Sequence, residues 1–166
     1  YLLPLVEIVR HRETSEETVS VIYDLLKKIG KSPAIVQKEV PGFVGNRLQM
    51  ALFREALSIV EQGIATPEDV DIVVKNGFGR RYAAAGPFEI WGLAGWDLIL
   101  NIAGYILSDL ESSSETPPLL EAKVKAGELG AKSGKGFYEW TPQSTEALRQ
   151  HMGKMLVEIA KISRAK

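Results

Sequence analysis

The chain has 166 residues, 45% hydrophobic and 25% charged, with 20 basic and 21 acidic side chains and no cysteine. That length can bury one substantial core, the balanced charge offers no field for nucleic acid or an anionic membrane, and the missing thiols exclude disulfides, thiolate catalysis and cysteine metal sites. Two isolated histidines, His11 and His151, cannot build a histidine-rich metal site, and no apolar stretch reaches the roughly 18 residues of a spanning helix.

The chain opens on Tyr1 and runs directly into apolar sequence through Val9, without the basic flank of a signal peptide. An upstream portion and a cytoplasmic setting are expected. Leu5-Val6-Glu7-Ile8-Val9 reads as a short buried strand that carries one carboxylate among hydrophobes. Thr14 and Glu17 have the spacing of a capping box, so a helix starts there. Its apolar face is Val19, Ile22, Tyr23, Leu26 and Ile29, and Gly30 stops it. Residues 34–40 read as a second strand. Two strands make no independent sheet, so this unit belongs to a larger one.

From Pro41-Gly42 onward the apolar period is helical, which puts a domain boundary between residues 1–40 and 41–166. Helices are expected over 44–62, from Thr66-Pro67 to Gly77, from Gly86-Pro87-Phe88, over 96–110, from Thr116-Pro117 to Gly127, and over 145–162. The class is therefore mainly α, with a strand-helix-strand unit in front.

Four features carry chemistry. Glu7, in an apolar strand, needs a cationic or hydrogen-bonding neighbour or a solvent-facing orientation. Pro41-Gly42-Phe43-Val44-Gly45-Asn46-Arg47 crosses from strand to helix, where Asn46 either presents its amide to a ligand or serves the local backbone. Arg80-Arg81-Tyr82 lies in a flexible connection before Gly86-Pro87, with two guanidinium groups able to grip a carboxylate or phosphate, or simply solvated. Ser133-Gly134-Lys135-Gly136-Phe137-Tyr138-Glu139-Trp140 delivers three aromatics from a glycine-hinged turn and reads best as a packing latch. His11 and His151 read as surface residues. No Gly-x-Gly-x-x-Gly or P-loop pattern occurs.

Five segments in order, namely Leu5-Val6-Glu7-Ile8-Val9, Pro41-Gly42-Phe43-Val44-Gly45-Asn46-Arg47, Gly86-Pro87-Phe88-Glu89, Leu93-Ala94-Gly95-Trp96-Asp97 and Lys132-Ser133-Gly134-Lys135-Gly136-Phe137-Tyr138, resemble the 3-hydroxyacyl-CoA dehydrogenases. The resemblance implies a Rossmann-type NAD-binding domain, of which residues 1–40 are the last part, and a helical C-terminal domain that completes the substrate cleft and forms a homodimer. It implies that NAD is bound mainly by an upstream domain, which also carries the family's proton-accepting histidine and a polar serine. Glu7 matches the carboxylate that orients this histidine, and Asn46 the amide that positions substrate. Arg80, Arg81, Pro87 and Phe88 are the candidate substrate contacts.

The resemblance also implies oxidation of a 3-hydroxyacyl-CoA such as 3-hydroxybutyryl-CoA by hydride transfer, with the isolated chain inactive. The Arg80 to Ala85 connection differs from that of fatty acyl-CoA members. Carnitine and gulonate dehydrogenases share the architecture without CoA, so a small hydroxy acid is the alternative substrate. A dimerisation module alone is the other reading.

Overall fold

The structure is a computed structural model that describes residues 2–164. In order, it contains β1 (Leu5–Val9), α1 (Glu16–Lys28), β2 (Ser32–Val36), α2 (Gly45–Glu61), α3 (Pro67–Asn76), α4 (Phe78–Tyr82), α5 (Pro87–Ala94), α6 (Trp96–Ile106), α7 (Pro118–Lys125) and α8 (Pro142–Arg164). The fold is mainly helical, with a strand-helix-strand remnant of a Rossmann-type domain followed by an all-helical part. None of the helices among the described residues is long and apolar enough to cross a membrane.

The chain divides into two compact units, one of residues up to 52 together with those from 148 on, the other of residues 53–147. In the first, β1 and β2 pair in parallel from Leu5 opposite Ser32 to Val9 opposite Val36. Parallel pairing needs a crossover, and α1 supplies it. Ile8, Val36 and, from α1, Val19 are buried. β1, read from the sequence as a buried strand of a larger sheet, buries Ile8 but leaves Leu5 54% exposed, because a sheet of two strands covers few of its own side chains.

Two boundaries also move. β2 ends at Val36, and residues 37–40 leave the ladder. The cap of α1 is Ser15, whose hydroxyl accepts from the Thr18 amide at 3.1 Å. Thr14 is spent instead on the His11 amide, also at 3.1 Å, so the expected box with Glu17 does not form. Acids in the first turn and Lys27 and Lys28 in the last suit the helix dipole.

In the second unit, Leu57 and Ser58 of α2 are buried. Thr66 caps α3 by accepting from the Asp69 amide at 3.2 Å, with Pro67 at the first helical position. The connection after Gly77 is helix α4 and not a flexible loop. Gly77 and Gly79 make this possible: a Cβ on either would lie 2.5 Å from the carbonyl oxygen of Val73 or Val74, so only glycine lets α4 fold back onto the end of α3. Glu89 reaches back to the Gly86 amide at 2.7 Å and fixes the start of α5. α6 ends at Ile106, α7 begins at Pro118, and α8 begins at Pro142, behind Thr141, which accepts from the Ser144 amide at 3.0 Å.

Candidate functional site

Glu7 is half-buried at the middle of β1, and its carboxylate meets the start of α2. One oxygen, Oε1, accepts from the Val44 amide at 2.8 Å and from the Gly45 amide at 3.2 Å. These are donors that a helix start leaves without partners, and a carboxylate there also complements the positive end of the helix dipole. The other oxygen, Oε2, makes no hydrogen bond among the described residues. The neighbour required by a carboxylate in an apolar strand is thus a pair of backbone amides.

The turn that aims those amides is unusual. Gly42 has φ 77° and Phe43 has φ 46°, the one positive φ at a non-glycine among the described residues. For a bulky residue this costs about 1–3 kcal/mol. The Phe43 amide closes the turn on the Val40 carbonyl at 3.1 Å. Asn46 lies in the first turn of α2, one residue beyond Gly45, with its side chain exposed. The structure therefore brings Glu7 and the Asn46 segment together through the backbone. Sequence spacing gave no sign of Phe43's conformation.

The two arginines have different environments. Arg80 donates from Nε to the Lys75 carbonyl at 3.2 Å and from Nη2 to the Asn76 side chain at 2.8 Å, so it serves the C-terminal end of α3. Arg81 is exposed and has no hydrogen-bond or ion-pair partner among the described residues. Pro87 occupies the first helical position of α5. Phe88 is 74% exposed and packs edge-on against Trp91 at 6.3 Å and tilted against Trp96 at 6.4 Å.

The segment 128–140 forms a compact knot. Glu128 accepts from Lys123 at 2.5 Å and pairs with Lys135 at 2.8 Å, and these hydrogen bonds hold its carboxyl down at about 2. The Glu128 contact raises Lys135 above the ordinary lysine range. Lys123 also donates to the Gly136 carbonyl at 3.0 Å and sits 5.2 Å from the centre of the Phe137 ring. Tyr138 donates to Asp71 at 3.2 Å, and burial, followed by the charge of Asp71, pushes its phenol up to about 12. Phe137 and Tyr138 close an apolar crevice over Phe53, Leu57, Val60 and Val70. The charged cluster was not foreseen from sequence: Lys135 lies in the segment read as a packing latch, and Lys123 and Glu128 lie outside it.

His11 accepts through Nδ1 from the Glu13 amide at 3.3 Å, and His151 is exposed on α8. The connection from β1 to α1, residues 10–15, contains no glycine, and α1 opens with Glu16 and Glu17. A dinucleotide's pyrophosphate needs close backbone approach and no negative charge at that helix start, so these residues do not fit it.

A carboxylate is thus pinned between a parallel strand and the start of the first helix that follows the strand-helix-strand unit. Residues 1–40 match the family model for the 3-hydroxyacyl-CoA dehydrogenase NAD binding domain, and residues 42–140 match that for the 3-hydroxyacyl-CoA dehydrogenase C-terminal domain. The chain belongs to the 3-hydroxyacyl-CoA dehydrogenase family.

Among its relatives, 5-formyl-3-hydroxy-2-methylpyridine 4-carboxylate 5-dehydrogenase of Mesorhizobium japonicum is 36% identical over 98% of this chain and 52% of that protein. A probable 3-hydroxybutyryl-CoA dehydrogenase of Bacillus subtilis is 39% identical over 87% of this chain and 49% of its own length. The human lambda-crystallin homolog is 54% identical over 54% of this chain and 28% of its own. The crystal structure of the pyridine-carboxylate dehydrogenase, described as an NAD+-dependent dismutase, superposes with a TM-score of 0.92 at 37% identity, covering 97% of this chain and 52% of that one. (S)-3-hydroxybutyryl-CoA dehydrogenase from Ralstonia eutropha gives 0.58 at 32% identity, over 84% of this chain and 48% of that one. The chain spans about half the length of the Mesorhizobium and Bacillus relatives.

Proposed function

We propose that this chain is the C-terminal part of a cytoplasmic NAD-dependent dehydrogenase whose substrate is a small carboxylate-bearing alcohol or aldehyde without CoA. In this reading, residues 1–40 close the NAD-binding domain and residues 41–166 form the helical substrate and dimerisation domain. The observation that carries the substrate class is the likeness to the pyridine-carboxylate dehydrogenase, whose TM-score of 0.92 stands well above the 0.58 of a 3-hydroxybutyryl-CoA dehydrogenase.

Glu7 acts by orienting an imidazole base through Oε2, the oxygen that the helix amides leave free, and by stabilising the imidazolium once a proton has arrived. Asn46 offers its amide to the substrate oxygen. Arg81, whose donors are unspent among the described residues, is the guanidinium suited to the substrate carboxylate, and Arg80 is not. Pro87 and Phe88 start a helix beside the aromatic cluster and supply an apolar contact for the substrate. The dinucleotide is held mainly outside these residues. The chain alone is inactive in this reading, because both its histidines lie in surface settings.

The homodimer remains part of the proposal. Leu48, Met50 and Leu52 on α2, between 44% and 62% exposed, supply apolar surface for a second copy. Light scattering at micromolar concentration should return twice the chain mass, and a monomer would count against it.

The decisive assay follows NADH when the full-length protein meets a panel of small hydroxy acids and aldehyde acids beside 3-hydroxybutyryl-CoA. The reading requires turnover of a carboxylate substrate and little of the thioester. Efficient and exclusive thioester oxidation would restore the CoA-linked assignment.

A further inference from the structure

Glu7 could be held to α2 by any helix start that happened to face β1. The chain instead uses a turn that a phenylalanine enters with difficulty. Gly42 at φ 77° would give the turn its left-handed step at little cost, yet the next residue, Phe43, also takes a positive φ of 46°. Nor is Phe43 there to be buried, since its side chain is 36% exposed. A bulky residue keeps such a backbone only where its surroundings over-determine it, and such positions cluster at functional sites.

Rotation about the N–Cα bond of residue 43 swings the peptide unit that follows it. At an ordinary negative φ, the amides of Val44 and Gly45 would leave the positions from which both reach Glu7 Oε1, at 2.8 and 3.2 Å. Two donors converging on one oxygen also fix which oxygen is free, and with it the direction in which the carboxylate can accept another proton donor.

We infer that Phe43 is a positioning residue: its left-handed backbone turns the Val44 and Gly45 amides onto one oxygen of Glu7 and thereby aims the other at the catalytic base. The inference rests on the reading of Glu7 as the base-orienting acid, but its geometric half stands without it.

The test uses Phe43→Val, whose β-branch opposes a positive φ, beside Phe43→Asn, which tolerates one. In this chain, Glu7→Gln should shift the amide NMR resonances of Val44 and Gly45 in the wild-type and Phe43→Asn backgrounds. In Phe43→Val it should move them little. In the full-length enzyme, Phe43→Val should lower kcat about tenfold or more with KM nearly unchanged. It should also move the acid limb of the pH–rate profile to lower pH, as an imidazolium loses its anionic partner, and Phe43→Asn should restore both. If Phe43→Val does not fold, Phe43→Ala, which disfavours the same φ more mildly, takes its place in both measurements.

Equal Glu7→Gln shifts in all three backgrounds would overturn the inference, as would a fall in kcat with no movement of the limb. If the wild-type enzyme shows no NAD-linked turnover, the functional reading of Glu7 fails, and the amide shifts still decide whether Phe43 sets its geometry.

Discussion

Arg80 donates to the Asn76 side chain across 2.8 Å, and its neighbour Arg81 makes no such bond among the described residues. The sequence alone offers the two guanidinium groups as equals, and the fold separates them. Arg81→Ala in the full-length enzyme should raise KM for a carboxylate substrate about 10- to 100-fold, the loss of one or two charge-assisted hydrogen bonds. Arg80→Ala should leave KM alone and cost about 1 kcal/mol of stability. Steady-state kinetics with thermal melts separates the two, and an unchanged KM in Arg81→Ala would remove that residue from the site.

The close approach of α4 to α3 predicts the effect of a single methyl. Gly79→Ala puts a Cβ 2.5 Å from the Val74 carbonyl oxygen, a backbone atom that cannot swing aside. The variant should lose about 1–3 kcal/mol in urea unfolding and should weaken carboxylate binding by displacing Arg81. A melt identical to wild type would mean that α4 is not anchored there.

The lysine contacts of Glu128 make stability pH-dependent in a defined window. Its carboxyl is lowered from 4.5 to about 2 in the folded chain, so the unfolded chain takes up the proton first as pH falls. The stabilisation is fully present above pH 4.5 and is lost as the pH falls toward about 2. Denaturant unfolding at several pH values should show this slope in the wild type and a shallower one in Glu128→Gln. Equal slopes would show that Glu128 titrates alike in both states.

Tyr138 behaves in the opposite direction. Burial raises its phenol from 10.0 to about 12, so the neutral form is favoured in the folded state. Its contribution is complete below pH 10 and is lost as pH rises toward 12. Ultraviolet titration should reveal one tyrosine ionising near pH 12 that disappears in Tyr138→Phe. That variant should lose about 1 kcal/mol with the Asp71 hydrogen bond.

What could be read from sequence was what depends on near neighbours. The starts of α3 and α5 follow from Thr66-Pro67 and Gly86-Pro87, and the helical period from Gly42 onward yields the class. The misjudged features depend on distant partners. Gly77 and Gly79 read as flexibility because nothing local reveals the α3 carbonyls against which they lie. β2 stops at Val36 although residues 37–40 keep an acceptable strand composition, because its ladder partner β1 ends at Val9. Glu7 was recognisable as a group in need of donors, but the amides that serve it lie 37 and 38 residues away. Their aim depends on a dihedral angle that residue identity conceals.

The bond between Tyr138 and Asp71 joins positions 67 residues apart in the chain. Contacts of such separation pay their loop-closure entropy before they return anything, so this clasp between α3 and the turn before α8 should close late, after α3 has formed. An interaction absent from the folding transition state acts as a brake on opening and does not accelerate formation. The clasp therefore governs how long a folded molecule persists more than how fast it is made.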